Sequence, residues 1–269
     1  MIDTWGLVQT RFEKRKNRAL EKFDCTGVIL AGGCNRRLPG IKKTFHKVGS
    51  KTIIERIISV FSRIFPQVIL VVNDPKDFLG MDALVVTDID PSRCSLAGLH
   101  AGLFYADYDW SFVTACDLPF VNEKVIRHLL RQRDDDKQII IPKTKGGLEM
   151  LCALYHKSCL PPIETNLEKQ VFKIKKILKP ENSIQIPPRE LEPLDPNMMF
   201  AFNVNTLQDL ETARNWLRTQ GGRKAGKNGD PIQKKNQSIP LRDKPLTPVA
   251  VPNDVISFAL SDHVRHAAV

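Results

Sequence analysis

From residue 25 to residue 220, short apolar runs alternate with longer stretches of mixed polarity. Val28-Ile29-Leu30 is fully apolar and ends in a glycine turn. From Thr52 to Phe65, apolar residues at 53, 54, 57, 58, 61, 64 and 65 recur at helical spacing and predict an amphipathic helix. Val68–Val72 is a continuous, mostly β-branched run closed by Asn73-Asp74, which predicts a buried strand. Leu84–Val86, Phe112–Ala115 and Gln138–Pro142 predict three more strands, the first two stopping at Thr87-Asp88 and Cys116-Asp117. Leu96–Tyr105, rich in Gly and Ala, and Val121–Arg133 predict helices. Apolar strands alternating with helices need cover on both faces. The pattern therefore predicts an α/β fold, a three-layer sandwich around a mostly parallel, Rossmann-like sheet. No repeat of solenoid period is present.

The strand ends add chemistry to this frame. The glycines at 32 and 33, Asn73, Asp88 and Asp117 each follow a predicted strand. Singly, each is an ordinary turn residue. Together they would face one crevice, because ligands of open α/β sheets bind beyond the carboxyl ends of the strands.

The segment from Gly27 to Lys43 is the most informative. A buried strand runs into Gly32-Gly33, where bare backbone N–H groups can close on an anion. Arg36, Arg37, Lys42 and Lys43 bring four cations into the same loop, a combination suited to a polyphosphate. Gly40 is followed by Ile41 rather than Lys-Ser/Thr, so this is no Walker A loop, and no G-x-G-x-x-G fingerprint occurs.

The net charge of the 269 residues is +10, which raises nucleic-acid binding as an alternative. Its distribution argues against that. Residues 1–24 carry +2 and residues 221–269 carry +4, leaving +4 for the middle. The C-terminal stretch opens on a Gly- and Lys-rich segment that predicts a flexible linker from 221. It has no aromatic residue before Phe258 to stack a base. Trp5–Phe23 and Asp254–Val264 have roughly helical apolar spacing and predict appended helices. The predicted organisation is an extension (1–24), a domain (25–220) and a basic Pro/Gly-rich extension (221–269). No apolar run reaches the ~18–20 residues that span a bilayer. The six cysteines form no C-x-x-C pair and suit a reducing cytoplasm as small buried hydrophobes.

Four motifs together carry a resemblance. Leu30-Ala31-Gly32-Gly33 is followed by Arg37 and, eleven residues after Gly32, by Lys43. Val86-Thr87-Asp88 precedes Ser95-Leu96-Ala97-Gly98-Leu99. Ala115-Cys116-Asp117-Leu118-Pro119-Phe120 and Phe202-Asn203-Val204-Asn205-Thr206 complete the set. Over residues 25–217 the chain resembles the molybdenum cofactor guanylyltransferase family, a nucleotidyltransferase branch.

The resemblance implies transfer of GMP from GTP to molybdenum-bound molybdopterin, with Mg²⁺ and release of pyrophosphate. It implies that Leu30, Ala31, Gly32 and Gly33 line the nucleotide, with Lys43 and Arg37 on the triphosphate. Asn73 and Asp88 would also bind the nucleotide, Asp117 would hold Mg²⁺, and Asn203 and Asn205 would serve the pterin side. Cofactor-delivery proteins or apo-molybdoenzymes would be downstream partners. Cys94-Ser95 stands where the family has Gly-Pro, which is expected to loosen that loop, and Lys42 and Leu207 also depart from the pattern. A CTP-dependent or sugar-phosphate nucleotidyltransferase, and a non-catalytic nucleotide-binding delivery protein, are the alternatives at this point.

Overall fold

β1 (Thr26–Leu30) lies inside the sheet, buried along its whole length. It pairs in parallel with β4 (Gln67–Val72) on one side and with β6 (Trp110–Ala115) on the other. β5 (Leu84–Thr87) extends the sheet beyond β4. On the far side β6 is followed by β9 (Cys152–His156), β7 (Ile139–Thr144) and β10 (Ser183–Ile186). Along this path β9 alone runs against its neighbours, so the sheet is mostly parallel. Short β8 (Gly147–Leu148) hairpins onto β7, and β2 (Lys47–Val48) with β3 (Lys51–Thr52) forms a separate two-stranded ribbon. The computed structural model describes residues 22–32 and 43–225. The predicted terminal helices fall wholly or largely outside that range, as do Gly33, Arg36, Arg37 and Lys42.

Side chains alternate across the strands, as the pleat requires. Ile29, Leu70, Phe112 and Leu154 face one layer, and Val28, Val71, Val113 and Tyr155 face the other. The first layer holds α1 (Ile53–Ile64), α3 (Glu123–Leu130) and α6 (Leu207–Ala225). The second holds α2 (Ser95–Phe104) and α4 (Leu160–Glu168). The one-turn α5 (Pro188–Leu191) follows β10. This is the expected three-layer sandwich.

Local chemistry sets the helix boundaries. Thr52 caps α1 in a reciprocal box: Glu55 N–H donates to Thr52 Oγ1 at 3.3 Å, and Thr52 N–H donates to the Glu55 carboxylate at 2.7 Å. Asn122 caps α3 through Lys124 N–H, so this helix starts after Val121 and is shorter than the spacing predicts. α2 is buried from Leu96 to Leu103, between the sheet and α4. That burial explains its Gly- and Ala-rich sequence. A Cβ at Gly102 would lie 2.5 Å from Val28 Cγ1, so the helix reaches β1 only because residue 102 is glycine.

Two differences from the sequence expectations have simple causes. β9 was not foreseen, because a short apolar run such as Leu151–Tyr155 has no periodicity that separates strand from helix. α6 continues through Gly221 and Gly222 to Ala225, so the first five residues of the predicted linker are helical.

Candidate active site

The chain leaves β1 for β4 and β5 on one side and returns to β6 on the other, so the order of strands reverses at β1. At their carboxyl ends, where a doubly wound sheet opens a crevice, lies a cleft of about 480 Å³. Leu30, Gly32, Val71, Asp88, Gly98 and Asp117 line it, with Arg93, Cys94, Ser95, Ala115, Cys116, Leu151 and Phe172. Four expected nucleotide residues, Leu30, Gly32, Asp88 and Asp117, therefore share one cavity.

The first turn of the glycine loop is pinned on both sides. Ala31 N–H donates to Val71 O at 2.8 Å, and Cys116 N–H donates to Leu30 O at 3.0 Å. The Asn73 side-chain amide donates to the Gly32 carbonyl. A Cβ at Gly32 would sit 2.7 Å from Asn73 Oδ1, so a side chain there would push the Asn73 amide aside. Asn73 thus holds the loop backbone and is not itself among the residues lining the cleft. Lys43 is the first residue of a 3₁₀ turn, Lys43–Phe45, which packs on α1 and buries Thr44.

Asp117 follows β6 and is half-buried. Its carbonyl accepts the Val204 N–H at 2.9 Å, which brings the Asn203-Val204-Asn205 segment beside it. Neither asparagine lines the cleft. Both flank Val204, which is buried in the layer of α1, α3 and α6. The Asp209 carboxylate takes the N–H groups of Asn205 and Thr206 at 3.0 and 2.8 Å, and Thr206 Oγ1 takes the Asp209 N–H at 3.1 Å, which closes the start of α6. Arg56, on α1, donates to Pro119 O at 3.0 Å and to Val48 O at 3.2 Å. One guanidinium thereby ties the Asp117 loop to the ribbon that follows the phosphate loop.

Cys94 caps α2: its sulfur accepts Ala97 N–H at 3.4 Å and lies 3.2 Å from Ser92 Oγ. The loop carrying Cys94-Ser95 is anchored here. The N-terminal end of α2 faces the cleft with no acidic residue in its own first turn, and the Asp88 carboxylate lies beside Gly98 there. Arg93, Leu151 and Phe172 were not foreseen as cleft residues. None belongs to a motif, and each reaches the cleft through tertiary packing alone.

Burial, followed by the nearby charge of Asp90, raises the Asp88 carboxyl above its ordinary value, and Arg93 offsets part of this. The native state therefore binds more protons than the unfolded state just above the ordinary carboxylate range, and stability falls as pH rises through that window. Asp88→Asn should unfold at a higher temperature than wild type at neutral pH, with the gain vanishing below the ordinary carboxylate range. The same variant should bind nucleotide more weakly. Melting curves from pH 3 to 8 and a binding titration check both; a lower melting temperature at neutral pH would contradict the account.

Burial also pushes the thiols of Cys25 and Cys159 up to about 12 and raises that of Cys152, which fits inert core residues. Among the described residues no helix is long and apolar enough to cross a membrane.

Residues 27–185 match the family described as the MobA-like NTP transferase domain. A molybdenum cofactor guanylyltransferase from Desulfosudis oleivorans is 36% identical over 188 residues, covering 70% of this chain and 93% of the relative. The crystal structure of molybdopterin-guanine dinucleotide biosynthesis protein A from Archaeoglobus fulgidus superposes with a TM-score of 0.64. It is 28% identical, and the match covers 72% of this chain and 99% of that one. The 2-C-methyl-D-erythritol 4-phosphate cytidylyltransferase of Thermus thermophilus shares the fold alone, at 14% identity and a TM-score of 0.52, over 71% of this chain and 98% of that one. With more than half of its length matched and a relative of this similarity, the chain belongs to the MobA-like NTP transferase family.

Proposed function

We propose that this protein transfers GMP from GTP to molybdenum-bound molybdopterin, forming the guanine dinucleotide cofactor and releasing pyrophosphate. The observation that carries this reading is the meeting of the Gly32 turn, Asp88 and Asp117 in one cleft, in a chain so similar to a guanylyltransferase. A phosphate oxygen of molybdopterin attacks the α-phosphorus of GTP. The new P–O bond forms as the bond to the β-phosphate breaks. Such a displacement needs two anions screened and aligned, and little proton transfer from the protein.

The chain's own groups have distinct tasks in that scheme. Leu30, Ala31, Gly32 and Gly33 would seat the nucleotide, with Asn73 fixing the Gly32 carbonyl. Lys43 and Arg37 would take the negative charge of the departing pyrophosphate. Asn203 and Asn205 would receive the pterin beside Asp117. Two carboxylates, Asp88 and Asp117, line the cleft. Among the described residues no cluster of three or more His, Cys, Asp or Glu could cage a metal unaided. That donor set fits Mg²⁺, which binds through one or two carboxylates together with substrate phosphates. Asp117 would hold it, and when bound it neutralises charge on the phosphate oxygens.

The cytoplasm is proposed as the site of this work, where the scattered cysteines, with no C-x-x-C pair, would stay reduced. The catalytic domain is proposed to span residues 25–220, with the two extensions serving a separate purpose such as contact with apo-molybdoenzymes. A nucleotide panel tests the function: pyrophosphate release with molybdopterin and Mg²⁺ should occur with GTP and be at least tenfold slower with CTP, ATP or UTP. Turnover with CTP, or with a sugar phosphate in place of molybdopterin, would replace this reading.

A further inference from the structure

We infer that the Phe172 ring is the platform on which the base of the nucleotide stacks. This rests on the guanylyltransferase reading, from which it takes a purine as the base. Seven large apolar side chains among the described residues are substantially exposed: Leu79, Leu84, Ile89, Phe104, Tyr105, Phe172 and Leu207. Of these only Phe172, with 41% of its surface exposed, lines the cleft.

The chain on either side of the ring is anchored. At the end of α4, Gln170 takes a left-handed backbone (φ 57°), with its N–H on Leu167 O at 2.9 Å. Val171 N–H donates to Asn166 O at 2.8 Å. Two residues later the chain enters the 3₁₀ turn Ile174–Ile177, whose Ile174 and Ile177 are buried in the layer of α2 and α4. An aromatic ring between two such anchors is presented to the cleft by its backbone. Its exposed surface adds an aromatic ring to a largely apolar lining that also holds Asp88, Arg93, Ser95 and Asp117, which suits a flat heterocycle.

The layers identify which heterocycle. Asp88, Cys94 and Gly98 line the same cavity, and Cys94 packs against the α2/α4 layer into which Ile174 and Ile177 are buried. Asn203 and Asn205 flank Val204, on the opposite face of the sheet, and do not line this cleft. The pterin, if held by those asparagines, approaches from the other side of Asp117. The flat group within reach of Phe172 is then the base of the nucleotide. A stack reads size rather than hydrogen-bonding pattern, so it strengthens purine binding over pyrimidine binding and leaves the choice between guanine and adenine to other groups.

The test compares Phe172→Ala, Phe172→Leu and Phe172→Tyr with the full-length wild type, by calorimetric titration with GTP and with inorganic tripolyphosphate. One base–ring stack corresponds to about a 5- to 150-fold change in affinity. The Ala and Leu variants should lose GTP affinity within that range, keep tripolyphosphate affinity within twofold, and keep the wild-type melting temperature. The Tyr variant should bind both probes as wild type does. Equal losses for GTP and tripolyphosphate would overturn the inference. So would unchanged GTP affinity with a raised KM for molybdopterin, which would give the ring to the pterin, or no change in either. Failure of the functional reading shows separately, as a wild type that binds GTP without releasing pyrophosphate; the stack is still decided there by the variants.

Discussion

Asp117→Asn should lower pyrophosphate release from GTP and molybdopterin by about 10²–10³-fold, the usual cost of removing one electrostatic contact to a transition state. The carboxylate lies two residues beyond the end of β6 and lines the cleft with Gly32. Its backbone carbonyl holds the Val204 N–H whatever the side chain. Asparagine has nearly the same shape, so the loop, the Val204 contact and the melting temperature should stay as they are. What is lost is one negative charge at the point where a cation and the α-phosphate would meet. The deficit should appear in kcat at saturating GTP, because a group that acts mainly in the transition state changes kcat more than substrate binding. Raising Mg²⁺ should recover part of it, because the variant holds the cation more weakly. Turnover within tenfold of wild type, at an unchanged melting temperature, would remove Asp117 from the reaction.

How much of this was legible in the sequence follows from where the information lies. β1, β4 and β6 were readable because strands buried on both faces must be apolar throughout, and their ends were marked by glycine, Asn73 and Asp117. α1 was readable because its stripe of isoleucines and phenylalanines has helical period. β9 and β10 were not, because their short runs show no period and no glycine, asparagine or aspartate marks their carboxyl ends. The same division holds in the cleft. Gly32, Asp88 and Asp117 sit at strand ends, where the topology fixes their destination. Arg93 and Phe172 reach the cleft because α2 packs on β1 and α4 packs on α2, which no local pattern encodes. Asn73 was legible as a site residue but not for what it does. Its amide grips the Gly32 carbonyl, a contact between residues 41 positions apart.

Gly102→Ala should destabilise the fold, although a glycine-to-alanine exchange inside a helix ordinarily stabilises by roughly 1 kcal/mol. The new methyl would lie 2.5 Å from Val28 Cγ1 and 3.4 Å from Val28 Cβ and Cγ2. Val28 is fully buried on β1, and a β-branched side chain has little rotamer freedom with which to retreat. The helix must move off the sheet, and overpacking of this kind costs typically about 1–3 kcal/mol. Set against the helix-propensity gain, the net loss should reach up to about 2 kcal/mol, or a melting temperature lower by up to roughly 8 °C for a domain of this size. The displacement reaches the cleft, because Cys94, Ser95 and Gly98 lie on or at the start of the same helix. Nucleotide affinity should fall together with stability. Val28→Ala supplies the control. Alone it leaves a cavity and also destabilises. Combined with Gly102→Ala it makes room for the new methyl, so the double variant should be more stable than the sum of the single losses by about 1 kcal/mol or more. Strict additivity would mean that the close approach of α2 to β1 is not what requires glycine at 102. Restored stability with nucleotide affinity still reduced would show that the position of α2, rather than the robustness of the fold, governs the cleft.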